Sequence, residues 1–288
     1  MYRRSISFRV ICLCLAVVHL TTQTAPAAVV PFDIDRGIVV LDVVINNNVT
    51  GRFGLDTGAD RLYVDRSFAI EHDLLRDEAP TRGVVVSVDG KSKSQVITLR
   101  SLKIGDDPTM PNVSVTLLDM DSLGGGRKPQ TPDGLLGYDF LHNFYVTVDY
   151  PAGKIELRSD APHYLDGRAY HTVPFTLLGH LIMVDVRLPN GLVRKMALDY
   201  CSSHTLISTT LAAELGLPQT RGAKTSLGEI NIGDAFSARN VVAEVAVLGM
   251  YGRGTPQSEI AGILGGNVLK LLAVTIDYHK RCLYVPYR

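Results

Sequence analysis

The chain contains no tryptophan, and only four of its 288 residues are cysteine. Without Cys-x-x-Cys spacing, four cysteines exclude a disulfide-dense miniprotein and a zinc ribbon. No His-Glu-x-x-His occurs among the eight histidines, so no metal site is expected. A P-loop, a dinucleotide fingerprint and a Gly-x-Ser-x-Gly elbow are all missing; no cofactor is expected, and the common serine-hydrolase reading falls away. Excess charge is absent too. The 29 Lys and Arg balance 29 Asp and Glu, which leaves no footprint for nucleic acid or an anionic membrane. What remains is a chain that is 46% hydrophobic, enough for one large core or two small ones.

The apolar run Val10 to Leu20, broken only by His19, is shorter than the roughly 20 residues a membrane span needs. Arg3, Arg4 and Arg9 flank it on one side and Ala25-Pro26-Ala27 on the other. Basic head, apolar middle and small-x-small site are the order of an export signal. Residues 1–27 are therefore expected to be a signal peptide, with the remainder exported to a periplasm or secreted. An uncleaved leader anchoring the chain is the alternative, and no other membrane contact is expected. Neither Cys12 nor Cys14 follows a lipobox-like sequence. Cys201 and Cys282 survive cleavage and are a candidate disulfide pair in an oxidising compartment.

The strongest organising feature is a duplication. Val30 to Leu74 aligns without a gap with Val173 to Leu217 at an offset of 143, and Ile104 to Leu157 with Ile232 to Val285 at an offset of 128. In the second pair 15 of 54 positions are identical, far above the few that chance supplies. Val146-Thr147-Val148-Asp149-Tyr150, for example, matches Val274-Thr275-Ile276-Asp277-Tyr278. The offsets differ by 15, so the second copy lacks 15 residues that the first carries around Val84 to Leu99. Two β-rich stretches flanking Asp89-Gly90 predict a hairpin there, present in one half and lost from the other.

Each half reads mostly as strand. Ile38 to Ile45 is rich in β-branched residues and ends at Asn46-Asn47-Asn48, a turn signal. Asp65 and Ser208 are equivalent N-cap candidates for short helices, and Leu141 and Leu269 fall on a second pair. Many short strands and few helices predict an all-β chain of two tandem barrel-like lobes. The first is expected over 28–160 and the second over 161–288.

The sharpest motif is Phe53-Gly54-Leu55-Asp56-Thr57-Gly58-Ala59-Asp60, followed later in the same half by Leu135-Leu136-Gly137. The combination resembles the retropepsin and pepsin families of aspartic proteases, over nearly the whole mature chain. Ile263-Leu264-Gly265-Gly266-Asn267 looks like the helix-opening segment of retroviral proteases, with Gly266 where an arginine is usual. The resemblance implies pepsin- or retropepsin-like β-barrel lobes and an aspartic endopeptidase acting on peptide or protein substrates as a monomer. Asp56 and Asp199 would be the catalytic pair. Thr57, Gly58 and Ala59 would support the active loop, and Val88, Asp89 and Gly90 would form the tip of a flap over the substrate.

The second half departs from the pattern. Asp56-Thr57-Gly58-Ala59 becomes Asp199-Tyr200-Cys201-Ser202; the carboxylate is kept and both its supports are changed. Three readings stay open: an enzyme using Asp56 and Asp199 in one chain, an enzyme pairing Asp56 from two chains in a homodimer, and a pseudoprotease that binds peptides. A Cys201–His204 thiol nucleophile has only a three-residue spacing in its favour.

Overall fold

The computed structural model describes residues 27–75, 81–87, 90–106, 109–120, 131–162, 169–233, 235–248 and 260–287. Most of the expected signal segment, residues 1–26, lies outside them, as do Val88 and Asp89. No described helix is long and apolar enough to cross a membrane.

The first half opens with β1 (Ala27–Pro31), β2 (Asp33–Asp35), β3 (Ile38–Ile45), β4 (Val49–Leu55), β5 (Tyr63–Asp65) and helix α1 (Arg66–Glu71). It continues through β6 (Thr81–Ser87), β7 (Gly90–Lys103), β8 (Thr109–Leu118), β9 (Gly134–Leu136), α2 (Tyr138–Leu141), β10 (Tyr145–Asp149) and β11 (Lys154–Arg158). The second half opens with β12 (Tyr170–Pro174), β13 (Thr176–Leu178), β14 (Leu181–Arg187), β15 (Val193–Leu198), β16 (Thr205–Ser208) and α3 (Thr209–Glu214). It ends with β17 (Lys224–Ile232), β18 (Phe236–Ala246), β19 (Gly262–Leu264), α4 (Gly266–Leu269), β20 (Ala273–Asp277) and β21 (Cys282–Pro286).

Local chemistry explains these elements. Val39, Val43 and Ile45 on β3 are fully buried while Asp42 is exposed, the alternation of a strand with one face on a core. Asn46 and Asn47 take the left-handed conformation, at φ 50° and 66°, which asparagine tolerates better than most residues. Asp65 caps α1 by accepting from the Phe68 amide at 2.9 Å, and Ser208 caps α3 by accepting from the Leu211 amide at 3.0 Å. Both caps stand where the sequence predicts them.

The strands close into two six-stranded barrels in tandem. One sheet runs β2-β3-β4-β9-β5-β8-β7-β6 and closes through β3–β7; the other runs β13-β14-β15-β19-β16-β18-β17 and closes through β14–β17. The expected asymmetry is present in the backbone. β6 pairs antiparallel with β7, Ser87 opposite Gly90, and forms an extra hairpin. The part of β7 from Val96 onward, together with β8, corresponds to β17 and β18 at the offset of 128. β6 and the start of β7 have no second-half counterpart among the described residues.

A third sheet, β1-β11-β10-β20-β21-β12, joins the halves. At its centre Thr147 on β10 pairs with Thr275 on β20, with the hydroxyls 2.9 Å apart. The neighbours pair as Val146 with Ile276 and Val148 with Val274. A residue thus faces its own equivalent, which places a local twofold axis between the two threonines. One hydrophobic core runs through both lobes on this base.

Candidate active site

The two Leu-Asp motifs arrive at the lobe boundary by the same route. β4 lies parallel to β9, with Leu55 opposite Leu136, and the Asp56 amide donates to the Leu136 carbonyl at 3.0 Å. β15 lies parallel to β19, with Leu198 opposite Leu264, and the Asp199 amide donates to the Leu264 carbonyl, also at 3.0 Å. Behind each loop sits a matched brace. Asp139 accepts from the Leu62 amide, and its equivalent Asn267 accepts from the Thr205 amide and hydroxyl.

Each carboxylate is then held by its own loop. Gly58 N–H donates to Asp56 Oδ1 at 2.9 Å, and Cys201 N–H to Asp199 Oδ1 at 2.8 Å. The carboxylates converge on Gly58. A Cβ there would lie 2.8 Å from Asp199 Oδ2 and 3.3 Å from Asp56 Oδ1. The two oxygens are therefore no more than about 6 Å apart, close enough for each charge to act on the other. Only a residue without a side chain leaves that space free. Burial pushes the Asp56 carboxyl well above its ordinary value, and the Asp199 charge pushes it further, against opposing hydrogen bonds from Gly58, Ala59 and Cys201. Burial also raises Asp199, against the amides of Cys201 and Ser202. Such a pair holds one proton between two groups over a broad pH range.

Thr57 ties this loop to the opposite lobe. It is buried, its hydroxyl donates to the Leu198 carbonyl at 2.8 Å, and it accepts from the Tyr200 amide at 3.2 Å. Tyr200, at the equivalent place, makes no matching side-chain bond. Its ring is fully buried, stacked 6.0 Å from Tyr150, and both tyrosine hydroxyls lack a hydrogen-bond partner among the described residues. Ala59 packs at the edge of a small apolar cluster of Tyr63, Leu118, Met120 and Leu135. Gly90 opens β7 at the hairpin, while Val88 and Asp89 lie outside the described residues.

The candidate disulfide is not formed: Cys201 and Cys282 are both free. Their surroundings explain this. The Cys201 sulfur sits at the carboxylates, 3.6 Å from where a Cβ on Gly54 would be, and its S–H donates a hydrogen bond to the Asp56 carboxyl. Cys282 lies in the shared sheet opposite Pro174 and Asp277, with its thiol against Tyr284. Burial pushes both thiols up, so neither is a ready nucleophile. Among the described residues no cluster of three metal-ligating side chains occurs.

One contact at the site escapes sequence reasoning. His180 Nε2 lies 2.8 Å from the Gly58 carbonyl. At the offset of 143 its equivalent is Gly37, which packs against Ser203 of the other lobe's loop. The offset was the available signal, because it marks both as hairpin tips.

Comparison with known proteins agrees with the geometry. A family model described as aspartyl protease matches residues 41–140, the part of the first lobe that includes Asp56. An aspartic proteinase from Irpex lacteus has a similar fold: TM-score 0.59 at 14% identity, covering 91% of this chain and 97% of that one. No curated protein matches the chain. The family model thus reaches the first-lobe motif, and the neighbour shows that the chain as a whole has a pepsin-like fold.

Proposed function

We propose that the chain is an exported aspartic endopeptidase that works alone, using water activated between Asp56 and Asp199. The observation that carries this reading is the convergence of both carboxylates on Gly58. With one proton shared, the ionised carboxylate takes a proton from water while the protonated one donates to the scissile carbonyl oxygen. Hydroxide adds to the carbonyl carbon. The C–N bond then breaks as the proton held on the dyad passes to the leaving nitrogen, while one hydroxyl of the tetrahedral diol returns its proton to the other carboxylate and regenerates the singly protonated pair. The β6–β7 hairpin would serve as the flap that covers an extended peptide and excludes water. The order of a basic head, an apolar middle and a small-x-small site within residues 1–27 supports export.

The altered second loop favours a rival reading, a pseudoprotease that holds peptides without cutting them. Pairing of Asp56 between two chains ranks lower, because the second lobe already occupies the partner's place. The deciding experiment is cleavage of an unfolded protein substrate by the wild type, Asp56→Asn and Asp199→Asn at pH 4–7. Loss of cleavage in both variants, with the active species sedimenting as a monomer, supports the single-chain enzyme. Full activity in Asp199→Asn defeats it, and peptide binding without turnover in all three establishes the rival.

A further inference from the structure

We infer that His180 is a positioning residue: its ring fastens the peptide that aims the Ala59 amide at Asp56, making up for the tie that Tyr200 does not return. The inference rests on Asp56 being the working carboxylate of the proposed enzyme.

The argument begins at a hairpin. β13 and β14 pair Leu178 with Leu181, which leaves Gly179 and His180 at the tip. Gly179 has φ +63°, and a two-residue turn with positive φ only at its first central position calls for glycine there. The tip reaches the opposite lobe, where His180 Nε2 stands 2.8 Å from the Gly58 carbonyl. A carbonyl can only accept, so Nε2 carries the hydrogen and donates.

The carbonyl of Gly58 and the amide of Ala59 belong to one planar trans peptide and point in opposite directions. Fixing the carbonyl therefore fixes the amide. The Ala59 amide turns back onto Asp56, 3.3 Å from its main-chain oxygen, and is one of the donors to its carboxyl. A hydrogen bond to the carbonyl also polarises the peptide and strengthens the amide as a donor.

The tie runs the opposite way to the Thr57 bond. Thr57 reaches from the first lobe to Leu198 of the second, and His180 from the second lobe to Gly58 of the first. In the first-lobe tip the position equivalent to His180 is Gly37, which has no side chain to offer. A Cβ on Gly37 would sit 2.7 Å from Ser203 Cβ, so that position contributes backbone packing alone. Two unlike residues thus restore an exchange of cross-lobe bonds around the active loop.

His180→Phe and His180→Gln test this, with steady-state cleavage of a peptide and hydrogen exchange at the Ala59 amide. In His180→Phe, kcat should fall about 10- to 100-fold with KM within about two-fold, since small misplacements of a catalytic group carry such losses. Exchange at Ala59 should quicken about ten-fold, following loss of the local hydrogen bond. The Gln side chain can donate in the same direction, so His180→Gln should stay near wild type in both measurements. Normal kcat and normal Ala59 protection in the Phe variant overturn the proposal. So does equal damage in the Gln variant, or a rise in KM alone, which would mark His180 as a substrate contact. His180→Ala takes the place of the Phe variant if circular dichroism shows that the latter does not fold. Should the wild type cleave nothing, the proposed function fails, and Ala59 exchange alone still decides the role of His180.

Discussion

Thr57 crosses the lobe boundary to the Leu198 carbonyl at 2.8 Å, while the hydroxyl of Tyr200, its equivalent in the other half, meets no partner among the described residues. The loops that carry Asp56 and Asp199 are thus alike in backbone and unlike in how their side chains reach across the lobe boundary. Replacing Thr57 by valine keeps its shape and leaves the Leu198 carbonyl and the Tyr200 amide unpaired in a buried place. Stability should drop by about 1–3 kcal/mol, with at least a ten-fold loss of kcat, whereas Thr57→Ser should retain most of both. Urea melts and initial rates on the two variants check this.

Tyr200→Phe should behave unlike most buried hydroxyl deletions. The hydroxyl has no hydrogen-bond partner among the described residues, so removing it ends a desolvation cost without breaking a contact. Stability should be unchanged or rise by up to about 1 kcal/mol. Tyr200→Thr, which recreates the first-lobe residue, should instead lose about 3 kcal/mol or more through the cavity left by a fully buried ring. Thermal melts of the two proteins side by side distinguish these outcomes.

The raised carboxyls set a pH dependence of stability. The folded chain holds protons at Asp56 and Asp199 more tightly than the unfolded chain does. Their favourable contribution is fully present below the ordinary value of 3.8 and is lost as pH rises through the elevated folded values. Asp56→Asn should match the wild type near pH 4 and exceed it at pH 8 by about 1–3 kcal/mol. Melting temperature against pH for both proteins is the measurement. For the same reason, the pH optimum of cleavage should be mildly rather than strongly acidic.

Gly58→Ala should abolish cleavage while leaving the fold intact. The added methyl would meet both carboxylates, at 2.8 and 3.3 Å, and force apart the groups that must share a proton. A loss of at least 100-fold in kcat with a native circular dichroism spectrum is expected.

Thiol counting checks the free cysteines. Without reductant, a chain lacking residues 1–27 should titrate two thiols in denaturant and react slowly when native, because both sulfurs are held well away from thiolate formation.

The fold was readable from the amino-acid order because each signal appears twice. Asp65 and Ser208 announce the same cap, Leu55-Asp56 and Leu198-Asp199 the same strand end, and the unequal offsets reveal the extra hairpin. The site was readable only in part. Whether Asp199 meets Asp56 depends on how β4 and β15 are packed, and the residues beside Asp199 no longer advertise it. Cys201 and Cys282 invited pairing because spacing along a chain says nothing about where two side chains point. His180 looks like any turn residue until its hairpin tip is seen reaching into the other lobe.

The pairing of Thr147 with Thr275 on a local twofold has a consequence for how such a chain can change. In a true dimer built on that axis, every substitution would be suffered by both partners at once and would have to fit its own mirror image. Joining the copies covalently lifts that demand. One half could then acquire a tyrosine, a cysteine and a shorter meander while the other kept the older arrangement, so the lopsidedness around Gly58 is a freedom that comes with fusion.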